Sequence, residues 1–176
     1  MPDPPSRLKV GVVDGRGRAV RVPGLARWLG EVSPRTARGE LTIALVSDAH
    51  IRSLNQTFRK RDAVTDVLSF PTGSNVQGPG SSVRTRSGRP RTPDPGPWTS
   101  DPGPYLGDIV IARGVAARQA REARHPLGTE LRILALHGLL HLIGYDHEQD
   151  QGEMRRLEAR LRRKGGLETG LLERTR

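Results

Sequence analysis

The stretch ELRILALHGLLHLIGYDH, residues 130–147, decides how the rest of the chain must be arranged. From Glu130 to Ile143 it carries Leu131, Ile133, Leu134, Leu136, Leu139, Leu140 and Leu142, so a helix over this segment is apolar on nearly every face. Such a helix has no side to give to water and belongs in the middle of a small protein. Thr129 is placed to cap its start, after the break expected at His125-Pro126-Leu127-Gly128.

Two imidazoles interrupt this apolar surface. His137 and His141 are four residues apart, so on a helix they share one face with Cβ atoms about 5–6 Å apart. That lets both reach a single ion at about 2.0–2.1 Å. Gly144 can take the left-handed backbone that ends a helix, after which the chain can turn so that His147 faces back. Three neutral ligands leave one tetrahedral position open to solvent, and that open position separates a catalytic zinc site from a closed structural one. One histidine alone would be read as a core residue satisfied by an ordinary hydrogen bond. Three of the five in the chain fall within residues 137–147, and burying them without a shared ligand would be costly. His50 and His125 follow no such spacing and are read as surface or loop residues.

Position 138 restricts the chemistry. Zinc proteases of the H-E-x-x-H type carry their general base directly after the first histidine, where this chain has Gly138. Peptide hydrolysis is therefore disfavoured. Glu148 could stand in as a base, but it reads better as a solvated loop residue.

Outward from this segment, strands dominate the N-terminal half. Residues 7–13 alternate before the turn at Asp14-Gly15, and Leu41 to Val46 is a compact apolar run. Leu25 to Val32 has short helical periodicity. Ser47 and Asp48 offer N-cap chemistry to a helix carrying Ile51, Leu54, Asn55 and Phe58. Val67 to Phe70 is a third strand stopped by Pro71, and Leu106 to Ala112 a fourth. Arg113 to Arg124 suits a surface helix, and Gln151 to Arg163 a basic amphipathic one with Met154, Leu157 and Leu161 inward. The expected architecture is α+β: a small mixed four-stranded sheet packed with about five helices, and the zinc site at the end of the central buried helix.

Residues 72 to about 104 are rich in Gly, Pro, Ser and Arg and hold almost no aliphatic side chains, so they are expected to form a disordered insertion. The remainder of residues 1–164 is expected to be a single domain, with 165–176 a short basic C-terminal extension. No run is apolar and long enough for a transmembrane helix, and the N-terminus lacks the pattern of a secretory signal. There is no cysteine, hence neither a disulfide framework nor a thiolate metal site. These features point to the cytoplasm. The formal charge of +10 suits a polyanion such as RNA. The near-exclusive use of arginine over lysine is equally what GC-rich coding would produce. Six aromatic residues in all leave little for a base-stacking platform.

The segment from His137 to His147 closely resembles the signature of the bacterial YbeY family of endoribonucleases and rRNA maturation factors. Leu54 to Pro71 is similar to that family's central block, and Leu106-Gly107-Asp108-Ile109 to the start of one of its strands. The resemblance spans about residues 41–71 and 105–150. It implies a zinc-dependent, single-strand-specific endoribonuclease that acts in maturing the 3′ end of the small-subunit rRNA and in ribosome quality control. One Zn2+ ion, held by His137, His141 and His147, is implied as cofactor. The implied partners are ribosomal RNA and the ribosome or its small-subunit proteins, with no membrane and no DNA.

Arg59 matches a family arginine associated with function. Its planar fork suits bidentate phosphate binding, while a structural ion pair to Asp62 or Asp66 is the competing role. Asp66 and Asp108 are expected to cap or brace the site. Asp146 could orient a ligand histidine or simply form a turn. Two other functions are compatible with the same residues: a noncatalytic ribosome-assembly factor with a structural metal, and, less well supported, a metalloprotease.

Overall fold

The apolar runs become the two middle strands of one sheet. In the computed structural model, described for residues 8–72 and 104–167, the chain forms β1 (Leu8–Asp14), α1 (Leu25–Val32), β2 (Gly39–Val46), α2 (Asp48–Arg59), β3 (Val67–Pro71), β4 (Tyr105–Ala112), α3 (Arg113–Glu122), α4 (Leu127–Leu142) and α5 (Glu153–Lys164). The sheet order is β1-β2-β4-β3. β1, β2 and β4 are parallel, and β3 runs antiparallel along β4 as an edge strand. Pro71 ends that edge strand, where a missing N–H costs no ladder bond to a further neighbour. The expected mixed four-stranded sheet with five helices is what forms.

β2 and β4 read as continuous apolar runs because helices cover both faces of the sheet. Leu41, Ile43, Leu45, Ile109 and Ile111 point to the larger face and pack with α1, α4 and α5. Ala44, Val46, Val110 and Ala112 point the other way, where Ile51, Leu54 and Phe58 of α2 cover them together with Leu68 and Phe70 of β3. The largely apolar α4 is thus enclosed over most of its length, as its composition requires. Leu134, Ala135, Leu139 and Leu140 have no exposure at all.

Two local expectations are corrected. α4 starts at Leu127 with Pro126 as its N-cap, so Thr129 lies inside the first turn, and Pro126 O accepts from Thr129 N at 3.0 Å. The Pro-Leu-Gly sequence does not break the helix because first-turn N–H groups need no intrahelical partner and proline's fixed φ suits a helix start. Arg113–Glu122 is only partly a surface helix, since Ala116 and Ala120 are buried. The N-cap expected of Ser47 forms: its Oγ accepts from His50 N at 3.2 Å.

The expected insertion at 72–104 falls, apart from its two ends, outside the described residues, as do residues 168–176 of the C-terminal extension. The start of that extension joins the core. Leu167 is buried, and Gly165 O accepts a 2.8 Å hydrogen bond from Trp28 Nε1. Among the described residues no helix is long and apolar enough to cross a membrane.

Candidate metal centre

His137 and His141 occupy the last turns of α4, and their rings meet edge to face with centroids 4.8 Å apart. Their Nε2 atoms are 3.2 Å from one another. α4 can place His137 this deep because it lies almost against the sheet. A Cβ on Gly138 would come within 2.7 Å of Ile109 Cγ2, and Ser69 Oγ donates to Gly138 O at 3.1 Å. Glycine at 138 is thus a packing requirement, and the protease base has no room at that position.

The helix ends as the glycine foretold. Gly144, at φ 100°, donates to His141 O at 3.1 Å, and Tyr145 N donates to Leu140 O at 3.0 Å, which is the Schellman pattern of bonds. Asp146 then forms the turn. Its Oδ1 accepts from Glu148 N, and its carbonyl accepts from Gln149 N and Asp150 N. His147 rides on this braced turn, its ring 5.5 Å from that of His137 and 5.3 Å from that of His141. One ligand atom from each of the three histidines lies within 4.8 Å of the others, a group that could hold a metal ion. Their burial falls in order, from His137 (buried) through His141 (half-buried) to His147 (exposed). Burial, helped by the neighbouring rings, pushes the His141 pKa down to about 4, and the Arg59 charge acts in the same direction. His141 therefore keeps a lone pair available at neutral pH.

The three histidines open into a cleft of about 890 Å³ that also exposes Arg59, Arg61, Thr65, Asp66 and Glu148. Its position follows from the layers: α4 arrives from one face of the sheet, the end of α2 from the other, and they meet across the β3 edge. The α2 terminus is fixed by Lys60 in the left-handed conformation and by Asn55 Nδ2 donating to Ala63 O at 2.8 Å. Arg59 makes no ion pair with Asp62 or Asp66. Asp62 is held by both arms of Arg52, at 2.7 and 3.0 Å. Asp66 accepts from Val67 N and from Gln119 Nε2, which makes it the brace expected of it. Asp108 is buried and accepts from the Tyr105 hydroxyl at 2.5 Å. The guanidinium of Arg59 is left facing the cleft.

One residue of the centre has no counterpart in the sequence reading. His137 Nδ1 meets Glu158 Oε2 of α5 at 3.1 Å, and both residues are buried. It is Glu158, not Asp146, that contacts a ring nitrogen of His137, and Asp146 is the turn residue. The signal was present: Glu158 and Arg162 sit at helical spacing within the stripe of Met154, Leu157 and Leu161 that α5 buries. A carboxylate in an apolar stripe points to a specific partner. His125 is likewise more than a surface residue, its Nε2 lying 3.1 Å from the fully buried Glu130 carboxylate. His50 lies in the first turn of α2 and is half-buried.

Comparison with known proteins agrees with this arrangement. A family model described as Endoribonuclease YbeY matches residues 25–165. Among curated relatives, the Endoribonuclease YbeY of Solibacter usitatus is 42% identical over 156 residues, covering 88% of this chain and 86% of the relative. That of Helicobacter pylori is 37% identical over 135 residues, covering 77% and 78%. The solution structure of TM1509 from Thermotoga maritima has the same fold, with a TM-score of 0.51 and 24% identity over 89% of this chain and 88% of that one.

Proposed function

The chain belongs to the Endoribonuclease YbeY family, and from that premise we propose that it is a zinc-dependent, single-strand-specific endoribonuclease acting in the cytoplasm on ribosomal RNA. Its place in the cell, on this reading, is maturation of the small-subunit rRNA 3′ end and ribosome quality control, in contact with the ribosome or its small-subunit proteins. The observation that carries the reading is the convergence of three imidazoles in an open cleft beside Arg59, which forms no ion pair with a carboxylate among the described residues.

His137, His141 and His147 would hold the ion, and their neutral donor set fits Zn2+ with one position left for solvent or substrate. Bound there, zinc supplies Lewis-acid polarisation of a phosphoryl oxygen and a more acidic water. The chain's own residues do the rest. Arg59 presents a planar, permanently charged fork to a phosphate in the cleft and stabilises charge that develops on it. Asp66 fixes the segment between α2 and β3, and so the distance between Arg59 and the histidines. Val67, Ser69 and Pro71 of β3 line the cleft, whose width suits an unpaired RNA strand. Gly138 leaves the centre without the base of peptide hydrolysis, so phosphodiester cleavage is the chemistry it favours.

Elemental analysis of the purified protein, paired with cleavage of a single-stranded RNA, tests this directly. One zinc per chain is expected, with His141→Ala losing both the metal and more than about 100-fold of the activity. Full activity from metal-free wild type would overturn the proposal. A 2′,3′-cyclic phosphate on the products would assign the attack to the RNA 2′-hydroxyl. Arg59→Ala is expected to keep its zinc and its melting temperature while cleavage falls by about 100-fold, with Arg59→Lys recovering only part because the fork is lost. An Arg59→Ala enzyme as active as wild type would remove Arg59 from the site.

A further inference from the structure

We infer that Glu158 selects which ring nitrogen His137 offers to the ion, acting as a positioning residue from α5; the inference rests on the metal reading of the triad. The two ring nitrogens of His137 face opposite ways. Nδ1 lies 3.1 Å from Glu158 Oε2, and Nε2 lies 3.2 Å from His141 Nε2, on the side where the three rings converge. A neutral imidazole has one N–H and one lone pair, and which nitrogen carries the proton is set by the partner of the other. A carboxylate oxygen at that distance accepts from the ring, which places the proton on Nδ1 and leaves the Nε2 lone pair aimed at the metal position.

The surroundings give this carboxylate its weight. His137 is 5% exposed and Glu158 2%, so bulk water cannot orient the ring in its place. A carboxylate in the buried stripe of α5 is costly beside Met154, Leu157 and Leu161 unless it is matched, and a Leu or Met would suit the packing of that stripe better. Neither His141 nor His147 forms an ion pair with a carboxylate among the described residues, so the effect falls on the one ligand that is fixed deepest. The ligand helix and the helix that orients it are joined by the braced turn of residues 143–152. Asp150 holds the start of α5 there by accepting from Gly152 N and Met154 N, each at 2.7 Å.

Glu158→Gln is the informative variant, because an amide can accept from Nδ1–H or donate to a bare Nδ1 and so no longer chooses the tautomer. Zinc affinity by chelator competition is expected to fall about 10–100-fold, while the melting temperature of the metal-free protein stays close to wild type. Nitrogen-15 NMR of the histidine rings in metal-free protein is expected to find His137 protonated on Nδ1 in wild type and mixed between tautomers in the variant. Unchanged zinc affinity in a folded Glu158→Gln protein, or a wild-type His137 protonated on Nε2, would overturn the assignment. Should the variant not fold, the wild-type ring tautomer still decides. A wild type that binds no zinc yet shows the Nδ1–H tautomer would sink the metal reading itself, a result distinct from the failure of Glu158.

Discussion

His137 and His147 are assigned to the same ion, but the protein holds them by different means. His137 is buried on α4, one ring nitrogen against Glu158 and the other toward its fellow ligands. His147 is exposed on a turn whose shape comes from Gly144 and from backbone bonds to Asp146. His137 is placed by core packing and His147 by local hydrogen bonding. Losing the first should therefore damage the fold and the site together, and losing the second the site alone.

The largest effect should separate the two. His137→Ala leaves a cavity at a buried position of α4, so the metal-free protein should lose about 2–4 kcal/mol of stability along with zinc binding and RNA cleavage. His147→Ala should lose zinc and cleavage to a similar extent, yet unfold in urea within about 0.5 kcal/mol of metal-free wild type. Equal destabilisation by both would break the contrast.

A glycine from each half sharpens it. Gly138→Ala drives a Cβ into Ile109 and should cost about 1–3 kcal/mol by overpacking. At Gly144 a Cβ would meet nothing within 4 Å, so Gly144→Ala carries only the strain of positive φ, about 1–2 kcal/mol. The second substitution should also weaken zinc binding, because it disturbs the turn that presents His147. Calorimetry of the metal-free variants, followed by zinc titration, reads both effects. If Gly144→Ala binds zinc like wild type, the loop half does not need that backbone conformation.

A pH-dependent effect concerns His141, between the two extremes. Its pKa is about 4 in the fold against an ordinary 6.5, chiefly because burial disfavours the charged ring. Between those values the unfolded chain holds a proton that the folded chain does not. Stability of the metal-free protein should then rise with pH across that window and level off above it. Urea midpoints measured through the window should slope less in His141→Ala, and an unchanged slope would remove His141 as its source.

The histidine spacing, the helix-ending glycine and the apolar surface of α4 were all legible because each is local: a period of 3.6 residues, one left-handed position, a composition without a polar face. The strands and four of the helices follow in the same way from short-range patterns. The first turn of α4 was misread for the opposite reason. Pro126 and Gly128 are breakers inside a helix but not at its start, and only the packing of Leu127 and the buried Glu130 settles where the start lies.

What the chain order alone determined is therefore the candidate triad of His137, His141 and His147 and the elements that carry it, since neighbours on a helix remain neighbours in any fold. Which residue stands behind His137, which acid takes Arg52 and so leaves Arg59 facing the cleft, and why position 138 must be glycine were decided by contacts between distant segments. Glu158 lies 21 residues from His137 and Ile109 lies on another element, so no local period relates them. Burial then fixes such pairings, because a charge or a Cβ in the interior must meet a matching neighbour or destabilise the whole.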